Sequence, residues 1–212
     1  MNLLIPYSET NMRLLFITAL TFLSLNFQAQ TLSSEDDKNI RERLDKYLEL
    51  TKDNKFMEMM DYVYPKLFTF VTKEQMAQVF TSMESMGIKL FFDGAQLLSL
   101  KPLVQINDKA YAYIHYSTDI RLELLTEEMQ NAEVVESLKN SFKATYNTEE
   151  VSYDAETRMI SLKGYKYIIA IYDPDYSDDR IWYFLEFDEN NIQMNELLLG
   201  QDVFNKLLDN IK

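Results

Sequence analysis

The sequence predicts an α+β fold: N-terminal helices packed on a curved, cone-like antiparallel sheet, with a short C-terminal helix. Three observations carry this. Apolar residues recur at helical spacing from Ser34 to Met86, then alternate in shorter runs from Ile88 onward. The later runs follow one another across short polar links, as in a meander, and do not alternate with helices as βαβ units would. The chain has 14 Tyr and 13 Phe against only four Gly and four Pro, which suits a regular, core-rich fold.

Residues 1–29 read as a leader. Met12-Arg13 precedes the apolar run Leu14 to Leu25, and Asn26-Phe27-Gln28-Ala29-Gln30 follows. A basic start, an apolar core and a polar exit with a small residue are the layout of a signal peptide. The run falls short of the ~20 residues a spanning helix needs. Met12 is a better start than Met1, because Leu3 to Asn11 includes Pro6 and Glu9. Cleavage after Ala29 puts Phe27 where a small residue is preferred. The expectation is a bacterial exported protein, periplasmic or secreted, with 30–212 as one soluble domain and no membrane insertion once the leader is removed. With no cysteine, the exit carries no lipid anchor and the domain no disulfide.

Removing the leader takes away Glu9 and Arg13 and leaves the net charge at −13. That charge repels nucleic acid and anionic lipid, so nucleic acid is not an expected partner. A domain of this length buries close to ~70% of its unfolded surface and needs no metal staple.

The elements follow in order. Ser34 is placed to cap a first helix, with Glu35, Asp36 and Asp37 at its positive end and Ile40, Leu44, Tyr47 and Leu48 on one face. Asp53-Asn54 breaks it and starts a second, with Phe56, Met60 and Val63 inward and Pro65 as its end. Thr72-Lys73-Glu74-Gln75 is a capping box for a third, whose face is Met76, Val79, Phe80, Met83 and Met86 and whose stop is Gly87. Strands begin at Ile88. Asp93-Gly94 is a turn signal, and Asn107-Asp108 joins Leu103–Ile106 to Ala110–Leu122 as a hairpin. Thr126 is placed to cap a fourth helix with Met129, Ala132, Val135, Leu138 and Phe142 inward. Four strands follow, Tyr146–Tyr153, Met159–Tyr172, Arg180–Phe187 and Ile192–Leu198. Asp154-Ala155-Glu156, Asp173–Asp179 and Asp188-Glu189-Asn190-Asn191 separate them. Asp202 caps a last helix with Val203, Leu207, Leu208 and Ile211 on its face.

This element order, with the segment Asp61-Tyr62-Val63-Tyr64-Pro65-Lys66-Leu67-Phe68, resembles the cone-shaped fold of the nuclear-transport-factor-2-like superfamily over roughly residues 35–198. The third helix and the C-terminal helix depart from it. The resemblance implies helices packed into a curved sheet, on a scaffold that serves enzymes, ligand binders and dimerisation modules alike, so fold does not yield function.

Candidate chemistry is sparse. His115, the single histidine, lies in Tyr111-Ala112-Tyr113-Ile114-His115-Tyr116, where alternation puts it on one face with Tyr111 and Tyr113. It is a general base among tyrosines or simply a strand histidine. Asp173-Pro174-Asp175-Tyr176-Ser177-Asp178-Asp179 is a solvated hairpin loop or a weak Ca²⁺ site. As an EF-hand it fails, with Asp178 where Gly is needed and Phe184 where Glu is needed. Trp182 sits in a strand apolar on both faces, central and covered on both sides, as core or as pocket wall. Met57, Met59, Met60, Met76, Met83 and Met86 are adaptable core filler or a promiscuous binding surface. One His without Cys excludes a typical structural zinc site, scattered glycines exclude a phosphate-cradling loop, and nothing calls for a cofactor. The many carboxylates leave a glycosidase-type pair open, since sequence gives no distances.

Three functions remain. The first is an exported binding or interaction module, with an apolar or aromatic small molecule in the cone or a protein partner, including a second copy, on the open sheet face. The second is a structural or dimerisation protein of the cell envelope. The third is a hydrolase or isomerase using His115 or a carboxylate. The expected ligand lining is Tyr113, His115, Tyr167 and Trp182; no catalytic or metal-binding set is assigned.

Overall fold

The computed structural model describes residues 31–106, 108–177, 179–187 and 191–211, all within the unit Thr31–Lys212. Residues 1–30, Asn107 of the expected hairpin turn, Asp178, residues 188–190, Lys212 and the side chains of Asn210 and Ile211 lie outside the described residues. The fold is α+β, helices packed on a five-stranded antiparallel sheet.

Helix α1 (Ser34–Lys52) is capped by Ser33, one residue before the expected cap, whose Oγ accepts the Asp36 N–H at 3.0 Å. Its apolar face buries Ile40, Leu44, Tyr47 and Leu50. The second helix is shorter than its sequence suggests. α2 (Phe56–Met59) passes into a single 3₁₀ turn at Met60–Tyr62; Val63 is extended, and Pro65 opens a second 3₁₀ turn, Pro65–Thr69, where it was expected to end a helix. The proline's fixed φ and absent N–H suit a first helical position, which explains the reversal. Helix α3 (Lys73–Ser85) has the expected capping box, both Thr72 and Gln75 bonds being formed. Gly87 follows its end at φ +87°, a conformation that favours glycine.

Strand β1 (Ile88–Ile106) runs unbroken through Asp93-Gly94, which is a bulge and not a turn. Bulges also interrupt its register at Leu97/Ser99 and Pro102/Val104. Each inserts one residue and flips which face the following side chains meet. Against β2 (Lys109–Leu124) the inward residues are therefore Leu90 and Phe92, then Ala95 and Leu97, then Leu100 and Pro102. β2 also pairs in unbroken register with β4 (Met159–Tyr172). The free edge of β4 is shared by β3 (Val151–Asp154) at one end and β5 (Trp182–Phe187) at the other.

Two expectations change in the second half of the chain. Helix α4 (Ala132–Tyr146) is capped by Asn131, not Thr126, and runs through Tyr146, which was placed in a strand. Ile192–Leu198, expected as a strand, belongs to helix α5 (Ile192–Leu199); α6 (Gln201–Ile211) follows it. Gln, Met, Glu and Leu are good helix formers, and no β-branched residue follows Ile192 in α5, so propensity prevails over the even spacing of the preceding strands. β5 is consequently not a central strand. It pairs with β4 alone, and its outer edge is covered where Val63 bridges Phe184 in parallel and the Tyr64 N–H donates to Phe184 O at 2.9 Å.

The sheet separates the core into two layers. On its inner face Ala112, Ile114, Ile168, Ala170, Trp182 and Phe184 meet α1 and the segment after it, while Ile120, Leu122, Ile160 and Leu162 meet α4. On its outer face Tyr111, Tyr113, Ile169, Ile171, Leu185 and Phe187 lie under Leu198, Val203, Phe204 and Leu207 of α5 and α6. Among the described residues no helix is long and apolar enough to cross a membrane.

Candidate functional site

The inner face is incompletely filled. Between α1, α3 and α4 and the strands beneath them lies a cavity of about 480 Å³, which extends past the edge of β5 toward α5. Its roof is Leu48 of α1 with Met76, Phe80 and Met83 of α3; its floor is Leu90, Phe92, Ile120 and Leu122 of the sheet. The size is within the range of small-molecule pockets, and the walls are predominantly apolar, as such pockets are. α3 closes it lightly. Phe80 stacks on Phe56 with centroids 4.2 Å apart, Met76 and Met83 are half-buried, but Val79 is 60% exposed and Met86 also faces solvent. Val79 and Met86 therefore do not belong to the buried face expected of this helix. A helix touching the sheet along a narrow stripe turns fewer residues inward than its apolar pattern offers.

Four polar groups of the cavity share one wall, Tyr47, Tyr116, Tyr146 and Glu186, while Thr51, Thr118, Asn191 and Asn195 also line it. Tyr116 Oη donates to Glu186 Oε1 at 3.3 Å, and Tyr47 and Tyr146 line the same space. Burial raises the pKa of each of the three phenols and the Glu186 charge adds to it, so all three stay protonated at neutral pH. The Glu186 side chain is 52% exposed, placing its carboxylate at a mouth of the cavity. The nearest cation is Lys166, whose Nζ stands 3.8 Å from Glu186 Oε2 and 4.8 Å from the centre of the Tyr146 ring. Gly164 makes this wall possible: a Cβ there would stand 2.4 Å from Tyr146 Cδ1, so only glycine lets the ring settle on the sheet.

Of the four residues expected to line a ligand site, three are brought together and Trp182 is set apart. Tyr113, His115 and Tyr167 share the outer face, with Tyr167 stacked on Tyr113 at 5.0 Å and on His115 at 4.7 Å. Trp182 is on the inner face but fully buried, its Nε1 donating to Asp36 at 3.1 Å, and none of the four lines the cavity. Pairing is the reason: His115 is opposite Tyr167 and Tyr172 opposite Trp182, and Tyr167 and Tyr172 are five positions apart on β4, an odd interval that puts them on opposite faces. Burial lowers the His115 pKa, and among the described residues no carboxylate is hydrogen-bonded to its ring.

Two other carboxylates are fully engaged. Asp36 accepts from Arg180 at 2.5 and 2.9 Å, from Ser33 and from Trp182. Arg180 and these partners outweigh burial and lower its pKa. Asp173, expected in a solvated loop, is 0% exposed and accepts from Tyr64 Oη at 2.6 Å, Lys109 Nζ at 2.7 Å and the Asp175 N–H. Burial pushes its pKa up, yet these donors prevail and the net shift is downward. Both carboxylates tie loops to the sheet. Among the described residues no group of three or more His, Cys, Asp or Glu is placed to hold a metal ion.

Sequence reasoning missed Tyr47, Tyr116, Tyr146 and Glu186. Tyr116 was legible as the face opposite His115, and Gly164 inside a strand signals a close approach. Nothing in the sequence pairs Glu186 with either. Compared with protein-family models and with curated proteins, the chain matches none.

Proposed function

We propose that this protein is an exported binding module that takes an apolar or aromatic small molecule into the cavity between α3 and the sheet. The observation that carries this reading is a void of about 480 Å³ with mainly apolar walls and a few polar groups among them. Packed interiors hold few voids larger than a water molecule, so a space of this size is not ordinary packing imperfection. The methionines of α3 support it, because unbranched thioether side chains adapt to differently shaped guests. His115, on the opposite sheet face, gives the cavity no imidazole base. The order of helices before sheet, which resembles the nuclear-transport-factor-2-like superfamily, is compatible with this use. Export rests on the signal-peptide layout of the leader.

The neutral fluorophore N-phenyl-1-naphthylamine tests the cavity. The expected result is saturable enhancement at one site per chain, lost in Met76→Trp, whose indole fills the space while the thermal midpoint stays within a few degrees. Non-saturating fluorescence, or unchanged binding to a folded Met76→Trp, overturns the reading.

A further inference from the structure

The polar wall of the cavity has a directional chemistry. Among the described residues, Glu186 has one side-chain hydrogen bond, from Tyr116 Oη to Oε1, a long one at 3.3 Å. The Lys166 ammonium, at 3.8 Å from Oε2, is beyond hydrogen-bond reach, and Lys166 does not line the cavity. A carboxylate accepts about four hydrogen bonds, so Glu186 retains most of its capacity, unlike Asp36 and Asp173. Tyr47, Tyr116 and Tyr146 line the cavity with it, and the Tyr146 ring carries a cation over its face, Lys166 Nζ at 4.8 Å. A carboxylate flanked by aromatic rings at the end of an apolar space matches a protonated amine, which pairs with the acid and gains from the rings. The protein already sets such a group here: Lys166 approaches both the carboxylate and the Tyr146 ring from outside the cavity. An anionic head would instead meet the Glu186 charge within a protein of net charge −13.

We propose that the ligand is an amphiphilic amine, its hydrocarbon or aromatic body in the cavity and its ammonium on Glu186. This rests on the binding-module reading and adds the head group to it. Three ten-carbon probes share a body and differ only in the head: decylamine, decanol and decanoate, titrated calorimetrically into the purified protein below their micelle concentrations. Decylamine is expected to bind at least tenfold more tightly than decanol, with decanoate weakest. Glu186→Gln should bring decylamine down to decanol while leaving decanol unchanged. Asp119→Asn, which removes the same charge from an exposed site on the outer face, should change none of the three. If decanol binds and decylamine is no tighter, or if the amine preference survives Glu186→Gln or falls equally in Asp119→Asn, the head-group assignment is wrong and the cavity reading stands. If none of the probes binds, both fall.

Discussion

The two faces of the sheet are finished differently. On the outer face α5 and α6 bring Leu198, Val203, Phe204 and Leu207 down onto Tyr111, Ile169, Ile171 and Phe187, and every one of these side chains is buried. On the inner face α1 is seated as tightly, but α3 meets the sheet along a narrow stripe, leaving Phe80 half-buried beside a void. The carboxylates divide in the same way. Asp36 and Asp173 are saturated with donors and hold the chain together, whereas Glu186 has one long side-chain hydrogen bond among the described residues and half its side chain in solvent. Groups that stabilise a fold are used up by it, and Glu186 is not used in that way.

The largest effects should come from breaking the filled face. Phe204→Ala removes a buried ring packed 6.0 Å from Phe187 and is expected to cost ~3–5 kcal/mol in denaturant unfolding, as large cavities in closed cores do. Phe80→Ala removes a ring of the same size, but only widens a space that already exists, so about 1–2 kcal/mol is expected. Equal losses at the two positions would mean that the faces are packed alike.

The carboxylates give the next contrast. Asp173→Asn leaves Lys109 and Tyr64 facing a neutral amide, and about 2–3 kcal/mol is the expected loss at pH 7. Glu186→Gln should fall below about 0.5 kcal/mol, as for an exposed, loosely bonded site. Acid sharpens the difference. The pKa values of Asp36 and Asp173 are lowered in the folded protein, so their contribution is complete above the unfolded carboxyl pKa near ~3.9 and is lost as pH falls through the folded values. The gap between wild type and Asp173→Asn should therefore be full at neutral pH and close below about pH 4. A gap independent of pH would show that Asp173 acts through packing alone.

The parts of this architecture that could be read in advance depend on neighbours in the chain. The Thr72 capping box, the faces of α1 and β2, and the stop at Gly87 follow from side chains a few residues apart. What misled was equally local. Asp93-Gly94 carries turn chemistry but lies within a long edge strand, because a bulge uses the same residues as a turn and only the partner strand distinguishes them. Ile192–Leu199 is apolar enough for strand or helix, and short apolar runs do not settle the choice by periodicity.

The sequence by itself determined the α+β class, the order of most elements and the absence of thiol chemistry, since these follow from composition, spacing and caps. Only the tertiary structure decided the site. Tyr47, Tyr116, Tyr146 and Glu186 come from two helices and two strands that do not pair with one another; strand register puts Tyr116 and Glu186 on the face that meets those helices and turns Tyr113, His115 and Tyr167 to the other. Register is a relation between distant segments, and one bulge or one odd interval reverses it. A void belongs to no residue at all; it is the space left where α3, seated by its own caps and contacts, touches the sheet along one stripe only.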